Sequence, residues 1–159
     1  MTSAAPDGRA TTTRSMFRRS YSVTTRIDAP AAVIWSLLTD IEAQRRWNST
    51  LASTEGRIAL GEKVSFSVHE SPKQTFSPTV VAYDEGRSMV WRLSAGGLLV
   101  SNRTYKLEPG PDGSTMFTLD EDFRGPILPL VARTFPDFGK MFERTAADLK
   151  AAAEAGPSA

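Results

Sequence analysis

The chain has no cysteine and a single histidine, His69. Disulfides, thiolate metal sites and cysteine nucleophiles are thereby excluded, and one imidazole is a poor basis for a zinc site. Nothing around His69 resembles a nucleophile elbow, and its parity with Lys63, Ser65 and Ser67 turns it to solvent, so a Ser-His-Asp hydrolase is not expected. Glycine-rich phosphate loops are missing too: Gly96-Gly97 is an isolated pair that reads as a hairpin turn. No metal and no cofactor is therefore expected. Nineteen basic residues stand against eighteen acidic ones, so the overall balance offers no footprint for nucleic acid or an anionic membrane. No apolar run follows the N-terminus or reaches membrane-spanning length, which makes the cytoplasm the default location, without stable membrane insertion.

What is present fits one domain with a single core, as expected for 159 residues. Residues 1–18, rich in Ser, Thr, Ala and Arg, read as a disordered basic tail, and 19–155 as the folded domain. The dominant signal lies near the C-terminus. Leu128, Val131, Phe135, Phe138, Phe142, Thr145, Leu149 and Ala152 are spaced by three and four, one stripe of an α-helix. A helix from Pro126 to about Ala153 would be roughly 40 Å long at 1.5 Å per residue. Pro136 removes a backbone donor inside it and should kink or split it. Ile127-Leu128-Pro129-Leu130, just before it, reads as a mobile lid or a core-packed helix start.

Before that helix the pattern is mostly of period two. Tyr21, Val23, Thr25 and Ile27 alternate as a half-buried strand. Pro30 opens a short helix whose apolar face is Val33, Ile34, Leu37, Leu38 and Ile41, and a second short helix runs to Trp47. Strands are then expected at 57–60, 62–70, 75–83, 88–94, 98–107 and 114–124, separated by Gly- and Pro-bearing turns. Short connections favour an antiparallel meander. The fold class is α+β: a twisted sheet that curls around the long helix.

Specific residues carry a family resemblance. Ile27-x-Ala29-Pro30-x-x-Val33-x-Trp35-x-Leu37-Leu38-x-Asp40, followed by Trp47-Asn48, resembles the opening of the START-like, or polyketide cyclase/dehydrase, superfamily (SRPBCC, birch-pollen-allergen-like). The run Asp84 to Trp91, and Gly113-Ser114-Thr115 with Glu121-x-Phe123-x-Gly125, resemble its later strands. The resemblance implies a helix-grip fold: a seven-stranded antiparallel sheet wrapped around a long C-terminal helix, with two short helices after the first strand. It also implies a ligand cavity between sheet and helix, and leaves the chemistry open, since members include lipid carriers, hormone receptors, aromatases and cyclases.

Strand parity nominates the lining of such a cavity. Phe66, Val68 and Glu70 share one face, Trp91 another, and Ser101, Arg103 and Tyr105 a third. Phe117, Leu119, Glu121 and Phe123 share the last, while Phe135, Phe138 and Phe142 come from the helix. The polar minority, Glu121, Arg103 and Tyr105, admits acid/base work by Glu121 with Tyr105 or Arg103 holding an oxyanion. The competing reading is an ion pair between Glu121 and Arg103 on adjacent strands; a one-residue bulge would instead turn Glu121 out. Trp35 and Trp47 read either as a ligand entrance or as packing between the short helices and the sheet.

Three functions follow. The first is binding of a hydrophobic small molecule (lipid, isoprenoid or polyketide-like). The second is a cofactor-independent polyketide cyclase or dehydratase, so enzymatic activity is left open. The third is a protein-interaction module with a filled cavity. A monomer or homodimer is expected.

Overall fold

The computed structural model describes residues 6–156. Alternation in β2 (Arg18–Ile27) buries Tyr21, Val23 and Ile27 on the inner face of a sheet. Pro30 precedes α1 (Ala31–Thr39) in extended conformation without a capping hydrogen bond, and Asp40 accepts hydrogen bonds from the Glu42 and Ala43 backbone N–H groups to start α2 (Ile41–Trp47). β3 (Leu51–Gly56), β4 (Val64–Val68) and β5 (Ser71–Phe76) follow, then β6 (Thr79–Asp84), β7 (Ser88–Ser94), β8 (Val100–Pro109) and β9 (Thr115–Arg124). A short α3 (Leu128–Val131) and a 3₁₀ turn lead into α4 (Phe138–Glu154).

The layout is the α+β helix-grip, with a different strand count from the seven expected. Six strands form one sheet in the order β1-β2-β9-β8-β7-β6, and β3-β4-β5 form a second. The division falls where the expected strand 75–83 breaks. Pro78 interrupts it between β5 and β6, and there the two sheets meet through the Val64 N–H to Pro78 C=O bond, 2.9 Å. The expected strand at 57–60 is a connection; the strand lies earlier, at β3, whose exposed pattern carries no alternating signal.

Part of the expected tail is also structured. Thr11–Arg14 forms β1, paired with β2 in the register Thr12↔Tyr21, and the Ala10 N–H donates to Glu143 Oε2 on α4 at 2.8 Å. All four β1 residues are exposed, so the strand exists through backbone pairing and leaves no hydrophobic period to read. Residues 1–5 of the expected tail lie outside the described residues.

The C-terminal helix is split, not merely kinked. Phe135-Pro136-Asp137 is non-helical, and Asp137 caps α4 by accepting from the Lys140 N–H at 3.1 Å. The 17 residues of α4 span about 25 Å. Phe138, Phe142, Thr145 and Leu149 face the sheet as the stripe requires, and Ala153 rather than Ala152 completes it.

Candidate ligand cavity

The register of the large sheet arranges its inward side chains in rows. Starting from the end where β9 stops, Leu93, Ser101 and Phe123 share the first inward row. Trp91, Arg103, Glu121 and Tyr21 share the next, and Met89, Tyr105, Leu119 and Val23 the one after. α4 lies across these rows with Phe138, Met141, Phe142 and Thr145 turned inward, and the second sheet contributes Val64, Phe66 and Val68. Between them is a cavity of about 60 Å³. At roughly 10–15 Å³ of such space per water, a handful of waters would fit.

One charged pair crosses this apolar interior. Arg103 Nη2 and Nε donate to Glu121 Oε2 at 2.8 and 3.2 Å. The two side chains are only 14% and 8% exposed. The Arg103 guanidinium also lies between two aromatic rings, 5.3 Å from the Phe66 centroid and 5.2 Å from that of Phe142. Burial opposes the Arg103 charge, but the facing Glu121 carboxylate outweighs it and the guanidinium pKa is raised. Burial likewise pushes the Tyr105 phenol up, although Arg103 pulls it partly back. The phenol therefore stays protonated near neutrality and can donate a hydrogen bond.

Two further polar atoms in the wall are buried without a partner: the Trp91 indole Nε1 and the Thr54 Oγ1. Buried donors are rarely left unpaired; both atoms are closed off from the open space of the cavity, so a partner reaches them only where the wall parts.

Most of the residues nominated from strand parity meet here: Phe66, Val68, Trp91, Ser101, Arg103 and Tyr105, then Leu119, Glu121, Phe138 and Phe142. Three do not. Glu70 is exposed, because β4 ends at Val68 and Glu70 belongs to the turn into β5. Phe117 has the right parity but sits one inward row beyond Leu119, fully buried in the solid core. Phe135 lies in the break before α4 and packs on the outer side of Phe123, with centroids 4.8 Å apart. Glu121 points inward with no bulge, as the ion-pair reading requires. Trp35 and Trp47 stay out of the lining: Trp47 Nε1 donates to the Leu37 C=O at 3.0 Å, and Trp35 packs on Tyr83. His69 is exposed, and among the described residues no three His, Asp or Glu side chains gather as a metal site.

Sequence reasoning missed Ile41, Gln44 and Asn48, which bring α2 to the cavity, and Met141 on α4. Met141 was accessible as a neighbour of the Phe138–Thr145 stripe. The spacing of 41, 44 and 48 marks one helix face, but nothing local says that this face meets the sheet interior.

A family model described as polyketide cyclase/dehydrase and lipid transport matches residues 18–154. The chain belongs to this family. A START superfamily protein from Mycobacterium smegmatis is similar to this cyclase/dehydrase-family domain with a TM-score of 0.65 at 21% identity, over 86% of this chain and 97% of that one. A conserved protein of unknown function from Enterococcus faecalis gives 0.65 at 14% identity, over 97% and 82%. A hypothetical protein from Helicobacter pylori gives 0.67 at 12%, over 84% and 86%. At these identities the likeness concerns the fold. No curated protein matches the sequence of this chain. The polyketide cyclase/dehydrase resemblance read from residues 27–48 and the strands that follow is thus the family to which the chain belongs, and the likeness to the START superfamily protein is one of fold.

Proposed function

We propose that this domain binds a hydrophobic small molecule bearing at least one oxygen function between the large sheet and α4. The observation that carries the reading is the cavity wall: aromatic and aliphatic side chains surround one ion pair and an unpartnered Trp91 Nε1. Such a wall gives affinity through apolar burial and orientation through a few polar contacts. The space of about 60 Å³ is small, so a lipid, isoprenoid or polyketide-like ligand enters by parting its walls. The mostly exposed edge strand β5, paired only with β4, is the element where the wall can part.

A second reading, cofactor-independent cyclisation or dehydration, draws on Tyr105 and Arg103. A protonated phenol and a guanidinium side by side suit a developing oxyanion, with Glu121 as the acid/base group. The engagement of Glu121 Oε2 by two guanidinium N–H groups favours binding over proton transfer, since that oxygen is already occupied. Extraction of protein purified from its own host, followed by mass spectrometry, tests the first reading: a recurring apolar molecule is expected. Incubation of that molecule with wild type and Glu121→Gln separates the two, because a binder leaves it unchanged while an enzyme converts it and loses turnover in the variant.

A further inference from the structure

Six large apolar side chains are exposed among the described residues, and four of them gather at one end of the large sheet. The register brings Arg18, Arg124, Val100 and Ser94 into one terminal row. Immediately beyond that row are the β1–β2 turn with Met16 and Phe17, the β7–β8 turn with Leu98, and α3 with Leu130. Their exposures are 70%, 54%, 52% and 74%. Backbone bonds lock the three segments together: the Gly125 N–H donates to the Phe17 C=O at 3.1 Å, and the Ile127 N–H to the Leu98 C=O at 3.4 Å.

Arg14, Arg18, Arg19, Arg124 and Arg133 flank these segments, and residues 14–19, 94–100 and 124–133 contain no carboxylate. The nearby acids are fewer. Asp122 pairs with both Arg18 and Arg124, and Asp137 is held as the cap of α4. Beside the patch, Thr12, Arg14, Arg19 and the single carboxylate Asp137 line an open groove of about 280 Å³, and Arg19 Nε is buried in its wall without a partner. The near-neutral balance of the whole chain therefore hides a local concentration of positive charge around protruding apolar tips.

We propose that this end of the sheet docks on an anionic membrane surface. Met16, Phe17, Leu98 and Leu130 enter the headgroup–acyl boundary, and the arginines meet lipid phosphates. The first inward row of the cavity, Leu93, Ser101 and Phe123, lies one residue from the terminal row, so docking sets the cavity against the bilayer. The surface is defined by its own residues and stands whether or not the cavity ligand is a lipid.

Co-sedimentation with phosphatidylcholine vesicles, with and without phosphatidylglycerol, tests the proposal. Binding to the anionic vesicles alone is expected, weakening severalfold as salt is raised. Phe17→Ser combined with Leu130→Ser should lower the partition coefficient at least about tenfold. Because the chain lacks cysteine, Leu130→Cys can carry an environment-sensitive dye, with Pro111→Cys in the β8–β9 turn at the opposite end as control. A blue shift at 130 and none at 111 is expected, and this readout holds even if the double variant misfolds. Wild type remaining in the supernatant, equal shifts at both positions, or a dimer that the double variant dissolves without any vesicle binding would overturn it.

Discussion

Arg103 and Glu121 face each other across β8 and β9, and the Arg103 guanidinium is clasped between Phe66 of the second sheet and Phe142 of α4. One side chain thus touches all three layers around the cavity. Removing its counter-charge leaves a buried cation unpaired. Glu121→Leu is expected to cost about 3–5 kcal/mol, whereas Arg103→Met combined with Glu121→Leu should recover most of that loss. Urea unfolding of the single and double variants, analysed as a cycle, measures it.

Trp91 separates binding from folding. Its indole N–H is buried without a partner, so Trp91→Phe removes no internal hydrogen bond. Stability should fall only by what the smaller ring costs in packing, about 1–2 kcal/mol. Affinity for an oxygen-bearing ligand should drop roughly tenfold, the worth of one hydrogen bond of about 1 kcal/mol or slightly more. Calorimetric titration beside thermal unfolding distinguishes the two effects.

Gly125 is where the turn before β8 presses on the end of β9. Its φ is +150°, and a Cβ there would lie 2.1 Å from the Leu98 carbonyl oxygen. Gly125→Ala should destabilise by about 3 kcal/mol or more, because backbone rather than a flexible side chain must yield. The shift in the denaturation midpoint checks it.

Acid should weaken the fold through three carboxylates. Hydrogen bonds from Ser114, aided by Arg26, hold Asp112 down at about 2. Burial works to raise Asp122, but Arg18, Arg124 and Ser20 lower it overall. The Asp28 backbone N–H and Lys150 lower Glu154. Each binds its proton more weakly when folded, so its stabilisation is complete above the ordinary carboxylate range and is lost as pH falls from about 4 towards 2. A midpoint that is flat from neutrality to about pH 5 and declines below it is expected, with a shallower decline in Asp122→Asn.

Periodicity made the elements legible and could not assemble them. β7 coincides with the expected 88–94 strand because a turn bounds it on each side. Parity also turned Glu121 and Arg103 inward correctly. Phe117 shows the limit: parity selects a face, but depth along the strand decides between cavity and solid core. Glu70 failed through a boundary only two residues off. β1 and the α2 contribution were illegible because backbone pairing and helix docking are tertiary events with no local period.

The space between sheet and α4 is proposed to hold an apolar ligand. Native mass spectrometry of protein from its own host, wild type beside a cavity-filling Thr145→Leu variant, tests it most directly. Wild type should carry an extra mass at near one-to-one stoichiometry, and the folded variant should have lost it. Two bare masses, with no thermal stabilisation by lipids or aromatic polyketides, would contradict the claim.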